Sequence, residues 1–419
     1  MVKKIILGFG IFATLLFGAN LQDGLNAFEK GDYKTAFTIF EDLAKKGDVE
    51  AQFELGMMYA NGEGVRQDDF KAKEWYEKAA SQGYDDAQYN LGIMYYNGDG
   101  VRQDYKKAIE LYEKAASQGH IKAQYNLGYM YHSGEGVRQD YKKAIFWYEK
   151  AAKKENIKAQ NNLGNMYENG YGVRQDFKIA KEWYGKACDG GNGSGCFNLG
   201  IIYEKGKGIN QDYTKAVEVY KKACDNGNYG GCYNLGTMYE ENKGIKQDYL
   251  KIVELYQKAC DGGIENGCNN LGLIYYEGKV VKKDDVKAKE LYEKACNKGN
   301  DRGCLNLGMM YDQDKSMKKD YLKISELYQK ACNGGNNIGC FNLGTMYEKA
   351  EGVKKDYSKA IELYKKSCDN GYSRGCFNLG YMYEKAQGVN QDKTKAKELY
   401  KIACDDKIEF GCKAYKELK

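Results

Sequence analysis

Apolar and small residues recur three and four positions apart in blocks of about a dozen residues, a spacing that predicts amphipathic helices. The blocks themselves return every thirty-six residues without insertion or deletion. In the block over residues 87–97, Gln88, Leu91, Gly92 and Tyr95 share one helix face. A Gly-rich turn follows, Gly98-Asp99-Gly100, and Asp104 stands where a carboxylate caps the free backbone N–H groups of a new helix, worth about 1 kcal/mol. The second helix carries Ala108, Tyr112 and Ala115 on one face and stops at Gly119, a residue suited to a left-handed C-terminal cap. Small Gly and Ala facing large Tyr predict two helices that approach closely and still fill the space between them.

The same pattern extends almost end to end. Asn-Leu-Gly begins at Asn90, Asn126, Asn162, Asn198, Asn234, Asn270, Asn306, Asn342 and Asn378, with Glu54-Leu55-Gly56 as the first variant. Tyr recurs from Tyr59 to Tyr383 and from Tyr76 to Tyr400, and the capping Asp from Asp32 to Asp392. One hairpin cannot bury its apolar face alone, but stacked neighbours can. The expected fold is therefore all-α, a right-handed α-solenoid of 36-residue helix-turn-helix repeats. Val280 and Ser316 replace the second turn glycine and predict locally altered turns.

Leu-Gly-x-x-Tyr followed by Ala-x-x-x-Tyr-x-x-Ala resembles the tetratricopeptide signature. The longer connection Gly98-Asp99-Gly100-Val101-Arg102-Gln103-Asp104 is similar to that of the Sel-1-like repeat. The resemblance spans essentially all of the chain after its leader.

The N-terminus has a different pattern. Lys3 and Lys4 precede an apolar run from Ile5 to Phe17 and the small pair Gly18-Ala19, which together predict a secretory signal peptide. The run is too short for a comfortable membrane span, so no stable span is expected after cleavage. The expected organisation is a signal peptide at 1–19, an N-terminal capping hairpin at 20–48, Cys-free repeats at 49–156, disulfide-stapled repeats at 157–408 and a C-terminal capping helix at 409–419.

All 14 cysteines obey one scheme. Cys188 pairs with Cys196, Cys224 with Cys232, Cys260 with Cys268, Cys296 with Cys304, Cys332 with Cys340, Cys368 with Cys376 and Cys404 with Cys412. Each pair joins the end of one helix to the start of the next, within disulfide reach in a tight hairpin. An exported chain suits that reading. Zinc would want four ligands at closer spacing or nearby His, and the only histidines, His120 and His132, lie in the Cys-free half. Ala80 with Gln88, Ala116 with Gln124 and Ala152 with Gln160 occupy the equivalent places there, so the hairpin does not depend on sulfur. Leader, repeats and paired Cys together resemble the cysteine-rich Hcp family of secreted bacterial proteins. That family carries a beta-lactamase label, and the resemblance implies penicillin binding with weak hydrolysis. The Cys-free units are a departure from its fully bridged pattern.

Candidate chemistry is sparse. Ser316-Met317-Lys318-Lys319 matches the nucleophile element of a serine beta-lactamase by spacing, but the Ser-Asp-Asn and Lys-Thr-Gly partners are missing. No catalytic residue, metal ligand or cofactor is assigned. Zero proline, 39 Tyr and 51 Gly fit a repeat array better than a two-domain enzyme. The net charge of +5 comes from acids and bases spread evenly, which argues against nucleic acid as a partner. Two surface ladders are candidates for a concave groove: the asparagines Asn126, Asn162, Asn198, Asn234 and Asn270, and the acidic row Glu168, Glu204 and Glu240. The alternative for the asparagines is unit-to-unit packing, and for the acids a solvated helix edge. Between them the residues vary, from Ile93, Tyr129 and Asn165 to Thr345 and Tyr381. The expectation is a monomeric secreted or periplasmic scaffold for a peptide or protein. A binder of peptidoglycan fragments or beta-lactams, and a purely structural envelope protein, are the alternatives.

Overall fold

The computed structural model describes residues 18–313 and 320–418. The leader segment through Phe17 and the Ser316 turn, with its lysines, lie outside the described residues. Among the described residues there are 23 helices and no strand, so the protein is an all-α solenoid of paired helices. No described helix is long and apolar enough to cross a membrane.

The chain forms two compact units, Met1–Asn210 and Gln211–Lys419. The first holds α1 (Leu21–Glu29) with α2 (Tyr33–Lys45), and α3 (Val49–Asn61) with α4 (Asp69–Ser81). It continues through α5 (Asp85–Asn97), α6 (Tyr105–Ser117), α7 (Ile121–Ser133) and α8 (Tyr141–Lys153) to α9 (Ile157–Asn169), α10 (Phe177–Asp189) and α11 (Gly193–Lys205). The second holds α12 (Tyr213–Asp225), α13 (Tyr229–Glu240), α14 (Tyr249–Asp261), α15 (Glu265–Glu277), α16 (Asp285–Asn297) and α17 (Asp301–Gln313). After these come α18 (Tyr321–Asn333), α19 (Asn337–Lys349), α20 (Tyr357–Asp369), α21 (Ser373–Glu384), α22 (Lys393–Asp405) and α23 (Glu409–Glu417). Within each unit, consecutive helices pack side by side.

Local chemistry sets the helix ends. Asp104 accepts a hydrogen bond from the Lys107 N–H at 3.1 Å and starts α6, and the recurrent Asp does the same from Asp68 to Asp392. Most first helices end on a left-handed residue, as at Gly98 with φ 89°. Ala350 adopts the same conformation at φ 63° where no glycine is present.

Packing follows the small-against-large pattern. A Cβ on Gly164 would sit 2.5 Å from Cδ1 of Tyr184, a ring with no solvent exposure. Gly92 stands in the same relation to Tyr112, and Gly236 to Tyr256. Such glycines let the second helix lay a tyrosine flat against the first.

Each hairpin-to-hairpin joint is fastened in one of two ways. From α10 onward the fastener is sulfur. Cys188 is bonded to Cys196, Cys224 to Cys232, Cys260 to Cys268 and Cys296 to Cys304. Cys332 is bonded to Cys340, Cys368 to Cys376 and Cys404 to Cys412. Their Cα–Cα distances lie between 4.3 and 4.6 Å, and the second cysteine of each pair sits in the first turn of its helix, where the next hairpin begins. In the Cys-free repeats an amide does the work instead. Gln88 Nε2 donates to the Ala80 carbonyl at 3.3 Å, Gln124 to Ala116 at 3.1 Å and Gln160 to Ala152 at 3.3 Å. Gln52 joins the series through Ala44. These clasps span the same eight residues as each disulfide. A neutral hydrogen bond contributes about 1 kcal/mol, against roughly 2–3 kcal/mol for a bridge closing so short a loop.

Candidate functional site

The face left open in each repeat belongs to its first helix. On α7, Ala123, Gln124, Leu127, Gly128, Met130 and Tyr131 are buried, whereas Tyr125, Asn126, Tyr129 and His132 reach solvent to some degree. The two sequence ladders lie on this face, and the structure gives most of their members partners within the protein.

The asparagines engage tyrosine hydroxyls of the preceding repeat. Asn90 Nδ2 lies 3.5 Å from the Tyr76 hydroxyl. The Asn126 amide acts on the Tyr89 and Tyr112 hydroxyls, and the Asn162 amide on that of Tyr125, offsetting part of the upward push that burial gives these phenols. In the second unit Asn270 serves Tyr233 and Tyr256. Asn198 reaches Asn161 at 3.3 Å, and Asn234 is half-buried, its backbone carbonyl accepting from the Thr237 hydroxyl. The chain supplies its own control. Phe40 stands at the tyrosine position before the first copy and offers no hydroxyl, and there the ladder residue is Glu54.

The acidic row also bonds to tyrosines, those of its own hairpin. Tyr184 donates to Glu168 at 2.7 Å, Tyr364 to Glu348 at 2.6 Å and Tyr400 to Glu384 at 2.7 Å, and Tyr256 donates to Glu240. Burial first, then the carboxylate partner, pushes each of these phenols far above the usual tyrosine range. Glu168 also pairs with Lys207 at 2.8 Å, and Glu204 with Lys205 at 2.9 Å. The row therefore combines a packing role with a partly neutralised edge.

In the repeat built on α7 and α8, His132 holds the acidic position. Burial pushes its imidazolium pKa down, so the ring is neutral near pH 7. It sits edge-on to Tyr148 at 6.3 Å. The buried Tyr148 hydroxyl has no hydrogen bond of normal geometry, the Asn162 amide acting on it at longer range. An orphaned buried hydroxyl costs about 1–3 kcal/mol. His132→Glu, which restores the partner that Glu168 gives Tyr184, is expected to stabilise the protein by about 1 kcal/mol. An unchanged or lower midpoint in urea would reject the pairing.

Glu54 shows a cost of the opposite kind. Burial, then Glu50, Asp86 and Glu63, raise its carboxyl above the ordinary 4.5. A raised folded-state pKa means the ionised form is disfavoured in the native protein, so the penalty is full above that pKa and gone below the unfolded value. Glu54→Gln is expected to raise the melting temperature near neutral pH. The gain should shrink as pH falls toward 4.5; a gain constant with pH would refute it.

Residues between the ladders are less committed. Tyr129, Leu273 and Tyr381 are 44%, 41% and 38% exposed, large apolar groups on a face that otherwise repeats. Among the described residues, no group of three or more His, Cys, Asp or Glu is placed to hold a metal ion.

The chain resembles known proteins along most of its length. Ten segments match the Sel1 repeat, at residues 49–84, 85–120, 121–156, 157–192, 193–228, 230–264, 266–300, 301–336, 338–372 and 373–407. No curated protein matches it. A protective antigen present in uropathogenic Escherichia coli strains, displaying an SLR fold, is 31% identical with a TM-score of 0.65, over 91% of this chain and 89% of the antigen. A Sel1 repeat protein from Oxalobacter formigenes is 34% identical with a TM-score of 0.52, over 58% of this chain and 99% of its own. Helicobacter pylori cysteine rich protein B is 34% identical over 32% of this chain and 98% of its own, with a TM-score of 0.26.

Proposed function

The chain belongs to the Sel1 repeat family, and on that footing we propose that it is a secreted or periplasmic scaffold holding a peptide or protein against the open faces of its first helices. A Sel1 repeat scaffold is an interaction-type fold, and seven disulfides suit an extracytoplasmic, oxidising compartment. The observation that carries the reading is the variable row. Tyr129 in the first unit, and Leu273 and Tyr381 in the second, are large and exposed at a position that varies from copy to copy, the variation that selective recognition by the open face would need. Asn126, Asn162, Asn198, Asn234 and Asn270, with Glu168, Glu204 and Glu240, frame that row.

Site-specific photocrosslinking in the producing cell tests this. A crosslinker at position 129, 273 or 381 should capture a discrete partner in the periplasmic or extracellular fraction. The same group at Phe146, exposed on the second helix of its repeat, should not. Equal labelling from both faces, or none from the groove positions, would count against the proposal.

A further inference from the structure

The turns joining first to second helices in the repeats of the first unit carry a second surface, independent of the open face of the first helices. The chain contains 58 lysines but only six arginines. Four of the six, Arg66, Arg102, Arg138 and Arg174, fall at one turn position, thirty-six residues apart, within the first unit. Later repeats put Asn210, Lys246, Lys282, Lys354 or Asn390 there. All four guanidinium groups are exposed, and none has an ion pair or hydrogen bond among the described residues.

The surrounding groups are spent elsewhere. Asp68 and Asp140 accept backbone N–H bonds from Lys71 and from Lys142 and Lys143. Gln139 and Gln175 donate to the carbonyls of His132 and Glu168, both at 2.7 Å. The turn acids are also engaged, Asp99 by the Asn97 amide at 2.9 Å and Glu135 by the Tyr96 hydroxyl at 2.8 Å. Along this edge Lys71 and Lys143 are drawn over tyrosine rings, whereas the arginines are uncommitted donors among the described residues.

The turns form clefts. A cleft of about 810 Å³ holds Arg66 and Arg102 with Lys71 and the 71% exposed Phe70. One of about 640 Å³ holds Arg138 with Lys142, Lys143 and Tyr141. Asp69 is the one carboxylate lining them that caps no helix. The turns are in direct register, because Gly100 packs on Asp69, and Gly136 on Tyr105.

From this we infer that the turn edge of the first unit binds a linear acidic glycan, one oxyanion group to each arginine. Three considerations select that chemistry. The guanidinium fork matches carboxylate, sulfate or phosphate oxygens two at a time, which lysine cannot do. The first helices α7 and α9 touch, and Gly100 and Gly136 pack on the start of the preceding repeat's second helix, so the arginines step by about one helix spacing, 8–10 Å. Nucleic-acid phosphates come about every 3.4 Å along a strand, leaving most of them unmatched, whereas a glycan with one acid per two sugar rings keeps step. Phe70 and Tyr141, which line the clefts, offer rings to apolar sugar faces.

The test uses the full chain and size-defined hyaluronan oligosaccharides, which carry one carboxylate per disaccharide, with poly-L-glutamate and a single-stranded oligonucleotide of matched charge as competing arms. Each exposed contact should be worth a factor of roughly two to five. The combined R66Q/R102Q/R138Q/R174Q variant should then lose at least about tenfold in glycan affinity, with an unchanged thermal midpoint. The matching set of Arg→Lys changes should fall between it and the unaltered chain. Removing two charges elsewhere, R302Q/R374Q, should change nothing. The inference is overturned if the glycan does not bind, if the four-site variant binds as tightly, if R302Q/R374Q loses as much, or if either competing polymer binds as well as the glycan.

Discussion

In reducing buffer the unit Gln211–Lys419 is expected to lose on the order of 10 kcal/mol of stability, while Met1–Asn210 loses about a quarter as much or less. The asymmetry follows from where the sulfur lies. The bond from Cys188 to Cys196 is the single bridge of the first unit, and the other six, from Cys224 with Cys232 to Cys404 with Cys412, lie in the second. Each joins residues eight apart, a short loop whose closure is worth roughly 2–3 kcal/mol in the chain-entropy model. The Gln clasps of the first unit do not respond to reductant. Hydrogen exchange resolved along the chain, with and without reductant, should therefore show protection collapsing after residue 211 and persisting before it. Equal loss in both units would mean that the clasps are not what holds the Cys-free repeats.

Gly164→Ala is expected to destabilise the protein by about 2–3 kcal/mol, although alanine is the better helix former by roughly 1 kcal/mol. The added methyl would meet Cδ1 and Cε1 of Tyr184, both at 2.5 Å. The ring cannot step aside freely, since its hydroxyl is held by Glu168 at 2.7 Å. The counterpart lies in the next helix of the same repeat. Gly185 has nothing within 4 Å of its would-be Cβ, so Gly185→Ala should stabilise by about 0.5–1 kcal/mol. Denaturant midpoints of the two single variants should move in opposite directions. If Gly164→Ala is neutral or stabilising, the close approach of α9 and α10 is not as described.

The hairpins and the bridges were legible because each is written in one short segment. A helix face shows at three and four residues, a capping Asp lies beside the helix it starts, and partners such as Cys260 and Cys268 are close in sequence. The roles of the open-face residues were harder to read. Glu168 looked like half of an acidic row because its tyrosine partner is on another helix, sixteen residues away. The co-occurrence of acid and tyrosine at that spacing, and its failure at His132, could have exposed the link. For the asparagines the useful signal was one exception, Glu54, paired with the one copy that has Phe40. The Gln clasps were visible as Ala and Gln in the cysteine places, but nothing in the letters says that an amide will reach back to a carbonyl. The arginine row escaped because even charge balance hides a choice of one cation over another.

The eight-residue separation within each cysteine pair also governs how the chain can mature. The nearest wrong partner, Cys224 for Cys196, lies twenty-eight residues on, and closing that longer loop costs about 1 kcal/mol more before any native helix has formed. Oxidation can proceed vectorially, each thiol meeting its mate as soon as one turn emerges into an oxidising space. The polypeptide thus has little need of an isomerase to proofread its sulfur, despite carrying 14 cysteines.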